Sequence, residues 1–181
     1  MAECALLMVL LLAGAEAFAQ SPPPNVSLEY AVKATYLYKM APFVNWPPDT
    51  FTSPAAPFEI CVLGQDPFHG FLEKAVAGRG LGSHPFAVHH LETAAAGAGC
   101  QIVFIAYSRA AEVRTALRVF DGKPVLTVTD SDAVDGGGCV VQFVMDNGHV
   151  RFEVDNAAAV RNQLAISSKL LDLALAVKGA G

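Results

Sequence analysis

The run PFEICVLG (residues 57–64) decides how the rest of the chain is read. It is short, apolar at most positions and closed by Gly64, which suits a buried strand of an α/β sheet. CQIVFIAY (100–107) repeats the pattern. Working outward, strands are predicted at 58–63, 85–91, 101–106 and 124–129, with helices at 67–77 and 109–120 between them. CVVQFVMDNGHVRFEV (139–154) reads as a β-hairpin, because Asn147-Gly148 is the favoured type I′ turn pair. A flexible stretch, 135–138, precedes it. The expected fold class is α/β: a single domain with a mixed sheet, helices on both faces, and a C-terminal hairpin followed by helix.

Upstream lies YAVKATYLYKMAPFVNWP (30–47), which holds three Tyr, one Phe and the only Trp. Tyr30, Ala34, Leu37, Ala41 and Val44 fall at spacings of four, three, four and three, an apolar helix stripe with Asn25 or Ser27 as its cap. Pro42 ends or kinks that helix, and WPPD stops it. The stripe is read as core first and docking surface second, with Tyr36 and Tyr38 flanking it and Trp46 closing one end of the domain. The polar face lacks the basic residues of a membrane-surface helix. An aromatic ligand cage is the remaining alternative.

Residues 1–19 have the form of a signal peptide. The apolar run 5–15 is too short to span a bilayer, and Ala17-Phe18-Ala19 supplies the small-x-small cleavage pattern before Gln20. Gln20 to Pro24, with three prolines, reads as a linker, which is taken as 20–26, with 27–178 the folded domain. The formal net charge of −5 becomes −3 once Glu3 and Glu16 leave with the leader. No cluster of Lys and Arg recruits nucleic acid or an anionic membrane. The mature chain is expected in an extracytoplasmic space, where disulfides persist.

Cys61 and Cys100 sit in the two apolar runs, where neighbouring strands can bring sulfurs together. They are either bonded or two buried thiols. Cys139 is left without an intramolecular partner and is expected to stay reactive. In the closing segment DNAAAVRNQLAISSKLLDLALAV (155–177), Val160 and Leu164 make one apolar stripe. Ile166, Leu170, Leu173 and Val177 make another, with Ser167 capping a new helix after a left-handed break near Asn162. A helix apolar on more than one side needs a second surface over it. Together with the free edge expected of a hairpin, that points to a two-fold dimer.

Catalytic groups do not assemble in the sequence. Asp66 and Asp130 each follow a strand, where open α/β sheets place their sites, but Asp66-Pro67 reads as a helix cap followed by Pro at the first position. His89 and His90 must point to opposite faces of one strand, so they cannot hold one metal together. GRGLGS has the wrong glycine spacing for a phosphate loop. No enzyme activity, no metal and no cofactor is expected.

Taken in order, AVKATYLYKMAPFVNWP, FEICVLGQDPF, VAGRGL, CQIVFIA, VLTVTD, VRFEVDNAAA and LAISSKLLDLA resemble the YfiR-like proteins, and they run through nearly the whole mature chain. The resemblance implies a periplasmic, commonly dimeric α/β domain that binds an inner-membrane diguanylate cyclase and holds it inactive, lowering cyclic di-GMP and biofilm. It supports the bonding of Cys61 to Cys100. Three positions depart from the family pattern: Cys139 lacks the partner of a second disulfide near the hairpin, Pro42 interrupts the first helix, and Asn162 stands where glycine is usual. The function expected is a non-catalytic regulator whose partner-binding residues are Arg151, Phe152, Glu153, Asn156, Ile166, Leu170 and Leu173. Arg151, Glu153 and Asp155 alternate with inward Phe152 and Val154 and so put charge on one face. The alternative is a periplasmic small-molecule-binding sensor working with a histidine kinase or transport system, with a pocket at the strand ends near Asp66 and Asp130.

Overall fold

A helix of seventeen residues, α1 (Pro24–Met40), opens the computed structural model, which describes residues 24–132 and 137–179. The expected leader, the start of the linker and residues 135–136 of the expected flexible stretch lie outside the described residues. Helix α1 begins ahead of both predicted caps, with Pro24 at its first position, where a missing N–H costs nothing. Of the predicted stripe, Ala34, Leu37, Ala41 and Val44 are buried and Tyr30 is half-buried; Met40, outside it, is buried as well. Pro42 ends the α-helix at Met40 and tightens the next three residues into a single 3-10 turn, Ala41–Phe43.

A two-residue strand, β1 (Val44–Asn45), leads to β2 (Phe58–Gly64), the predicted buried strand. Then follow α2 (Phe71–Val76), β3 (Gly80–Leu81), β4 (His84–Leu91), β5 (Ile102–Ala106), α3 (Ala110–Phe120) and β6 (Leu126–Thr129). The chain continues through β7 (Val141–Asp146), β8 (His149–Asp155), α4 (Asn156–Arg161), β9 (Ala165–Ile166), α5 (Ser168–Leu171) and β10 (Ala176–Lys178). The main sheet runs β10-β8-β7-β6-β5-β2-β4-β3. Strands β4, β2, β5, β6 and β7 are mutually parallel; β8 returns antiparallel to β7, and β3 antiparallel to β4. This is the mixed sheet of an α/β domain.

The sheet divides two cores. On one face α1 and α2 cover Phe58, Ile60, Val62, Phe104, Val128, Phe143, Phe152 and Val154. On the other, α3 covers Cys61, Leu63, Val103 and Ile105 with Val113, Leu117 and Phe120. Each large apolar side chain so buried contributes about 1.5–3 kcal/mol. Central strands β2 and β5 face both cores, which is why their sequences are almost continuously apolar. Strand β8 has one covered face, and its residues alternate buried and half-exposed. The turn between β7 and β8 places Asn147 at φ 48 and Gly148 at φ 76, as a type I′ turn demands.

Three expectations are corrected. The helix predicted at 67–77 is only Phe71–Val76. Asp66 does cap, but it caps a turn: its Oδ1 accepts from Phe68 N at 2.8 Å. His69 (φ 49) and Gly70 (φ 82) then occupy left-handed conformations that no α-helix can contain.

The closing helix is also shorter than its apolar spacing suggested. Ser167 caps α5, accepting from Lys169 N, but Ile166 belongs to β9 and Val177 to β10. Val160 is 63% exposed and Leu164 buried, so they share no stripe. The left-handed residue is Gln163 (φ 58), while Asn162, buried, accepts from Gly122 N at 3.1 Å and donates to Val125 O at 2.9 Å.

Third, the hairpin does not leave β8 as a free edge. Strand β10 pairs parallel to it, Ala176 opposite Glu153 and Lys178 opposite Asp155. The edge strands are the three-residue β10 at this end of the sheet and, at the other, β3, which reaches only His84 and Pro85 of β4.

Candidate functional site

Lys33 lies beside a concavity of about 650 Å³ and organises the groups along one of its walls. It sits on α1 three residues after Tyr30 and four before Leu37, on the face that packs against the sheet, and its side chain is 4% exposed. A buried ammonium requires partners. Nζ donates to Asp130 Oδ2 at 2.7 Å, just beyond the carboxyl end of β6, and to Glu29 one helical turn back. Tyr30 OH donates to the same Asp130 oxygen at 2.9 Å, and Lys33 Nζ lies 4.4 Å from the Tyr30 ring centroid. The Tyr30 ring meets Phe68 edge-on at 5.6 Å. Burial, and then the Asp130 carboxylate, push the Tyr30 phenol above its ordinary value, so it remains a hydrogen-bond donor.

Beside this cluster opens a groove of about 650 Å³, at the carboxyl ends of β5, β6 and β7. Tyr107 and Ser108 follow β5, Ser131 and Asp132 follow Asp130, and Phe143 to Met145 come from β7. Gly64 makes room for the aromatic wall: at φ 101, it has Ala106 O and the Tyr107 ring 3.0 Å from where a Cβ would stand. The alternative reading expected a pocket near both Asp66 and Asp130. The groove takes Asp130 but not Asp66, whose carboxylate is engaged in its own turn. Lys33 was not singled out in the sequence, although a lysine set in an apolar stripe is itself a signal of a buried acidic partner.

The disulfide joins Cys61 on β2 to Cys100 just before β5, with Cα atoms 6.0 Å apart. A second cleft, about 400 Å³, lies over it and includes Glu59 and His89, whose Oε2 and Nε2 are 2.6 Å apart. His90 turns the other way to Glu73 of α2 at 2.9 Å. His84 stacks on Phe51, with ring centroids 3.9 Å apart. Among the described residues no group of three or more His, Cys, Asp and Glu side chains is placed to hold a metal ion. Cys139, expected to be reactive, is buried, with Sγ 3.1 Å from Val141 O. Loss of solvent pushes its thiol up to about 12.

The residues expected to bind a partner do not form one patch. Arg151 and Glu153 share the sheet face opposite Phe152, beside Gln142, Val144 and Ala176, which stand opposite them in register. Glu153 Oε2 is paired with Lys178 Nζ at 2.9 Å. Phe152 and Leu170 are buried and shape the surface from beneath. Ile166, half-buried, packs against the α1-side core, pairing with Val44 through β9 and β1. Asn156 begins α4, whose cap is Asp155: its Oδ1 accepts from Ala158 N at 2.8 Å. Leu173 is 59% exposed.

Among the described residues no helix is long and apolar enough to cross a membrane. The YfiR/HmsC-like family model matches residues 30–175. No curated protein matches the chain.

Proposed function

The chain belongs to the YfiR/HmsC-like family, and on that premise we propose that it is a non-catalytic periplasmic regulator. It binds and restrains an inner-membrane signalling protein, a diguanylate cyclase, and so lowers cyclic di-GMP and biofilm. The observation that carries this reading is the extent of the family match: it runs from the first turns of α1 to the segment before β10. The Cys61–Cys100 bond supports the compartment, since such bonds persist where the environment is oxidising. With it we propose a leader at 1–19, a linker at 20–26 whose last three residues are already helical in α1, the domain at 27–178, and a homodimer.

The partner surface proposed is the outer face of β8 and the segment around α5, with Arg151, Glu153, Asn156 and Leu173 in contact. Ile166 borders it from the other side of the sheet, and Phe152 and Leu170 support it. Half-exposed charges set the register of such a contact, and exposed apolar side chains supply its affinity. Deleting the gene should raise cyclic di-GMP and surface attachment, and Glu153→Lys should reproduce this at unchanged protein level. Unchanged cyclic di-GMP, with a neighbouring histidine kinase or transporter misregulated, would replace the cyclase by that partner. If crosslinking captures no membrane protein, the small-molecule sensor reading, which the groove beside Asp130 favours, takes its place.

A further inference from the structure

We propose that the groove at the carboxyl ends of β5, β6 and β7 binds a small organic cation carrying an apolar body. Three carboxylates, Glu29, Asp130 and Asp132, line it against one ammonium, Lys33. That ammonium is spent internally. It is almost fully buried, held by Glu29 and Asp130 and packed over Tyr30, so it offers nothing to an incoming anion. Asp132 is exposed and leaves the groove net negative. A bare metal ion is a poor match, because the carboxylates do not converge to coordination distance.

The remaining walls are mixed: Ser108 and Ser131 are polar, while the half-buried Tyr107 ring and Val144, with Met145 exposed at the rim above the buried Phe143, supply apolar surface. Aromatic and thioether surface beside unbalanced carboxylates suits an amine with a hydrocarbon or aryl portion. About 650 Å³ accommodates such a molecule. The position agrees with where open α/β sheets place ligands, beyond the carboxyl ends of parallel strands.

The inference goes beyond the regulator reading and is tested without any partner, so either can fail alone. Purified protein at pH 7 and low salt is titrated with phenethylamine and, in parallel, with phenylacetate, which has a similar shape and the opposite charge. Phenethylamine should raise the melting temperature saturably at millimolar concentration, and phenylacetate should not. Asp132→Asn should weaken phenethylamine about fivefold, the worth of one charge at ~4 Å in water. Met145→Lys, at an exposed rim position, should abolish the response with the unliganded melting temperature unchanged, while Asp172→Asn, outside the groove, should leave it intact. An equal response to phenylacetate, no response to phenethylamine, or a response indifferent to Met145→Lys overturns the proposal.

Discussion

Lys33 Nζ and Asp130 Oδ2, ninety-seven residues apart in sequence, lie 2.7 Å apart and tie the first helix to the end of β6. The contact joins the N-terminal element to the middle of the sheet through charge, not apolar packing. Its energetics follow from burial. Two ions taken out of water recover that cost only while both are present.

Removing one partner is therefore expected to be expensive. Lys33→Met should destabilise the protein by about 3–5 kcal/mol, because Asp130 and Glu29 are left facing each other without their cation. Tyr30→Phe should cost about 1 kcal/mol, the worth of one hydrogen bond. Lys33→Met combined with Asp130→Asn should cost less than the sum of the single variants. Urea unfolding at pH 7 measures all of these, and strict additivity would show that the pair is not coupled.

Thiol accessibility gives a second test. In protein produced from Gln20 onward, native alkylation should label no cysteine. Denaturant without reductant should expose Cys139 alone, and denaturant with reductant all three thiols. Rapid native labelling of Cys139 would mean that the β6–β7 connection opens far more often than its packing allows.

The Cys61–Cys100 bond closes a loop spanning 39 positions. In the chain-entropy account a loop of that size is worth about 4 kcal/mol. Cys61→Ala with Cys100→Ala should lower stability by roughly that amount, read from the urea unfolding free energy in water with each protein's own slope.

Alkaline pH should erode stability through Cys139 and Tyr30. Both groups have folded-state values above their ordinary ones, so the unfolded chain releases their protons first. For Cys139 the contribution is complete below its ordinary value of 9.0 and is lost as pH rises toward about 12. The limiting slope is about 1.4 kcal/mol per pH unit for one proton. Cys139→Ala should flatten the stability profile above pH 9. An unchanged profile would mean that the thiol titrates alike in the folded and unfolded protein, so that burial does not hold its proton.

Leu170 and Leu173 separate core from surface within one short segment. Leu170→Asp buries an unpaired charge and should unfold the protein, whereas Leu173→Asp should leave its circular dichroism and melting temperature nearly unchanged. If Leu173 lies in the proposed partner surface, its variant is folded and yet releases the membrane partner in crosslinking.

What local pattern alone determined were the central strands, the hairpin and the core stripe of α1. PFEICVLG and CQIVFIAY are apolar at most positions because both faces of a central parallel strand are covered, and Asn147-Gly148 carries its turn in its own backbone preferences. Leu37 and Ala41 were legible for the same reason, since one helix face repeats every three to four residues. The tertiary structure decided the rest. Apolar residues from Ile166 to Val177 have helical spacing, yet the exposed ladder of β8 draws the last of them into β10, and no local signal records that demand. Asp130 read as an isolated acid until α1 brought Lys33 and Tyr30 to it. Cys139 read as a free thiol, and the sheet around it made that thiol inert. In each case the deciding partner lies far away along the chain, so only the fold could supply it.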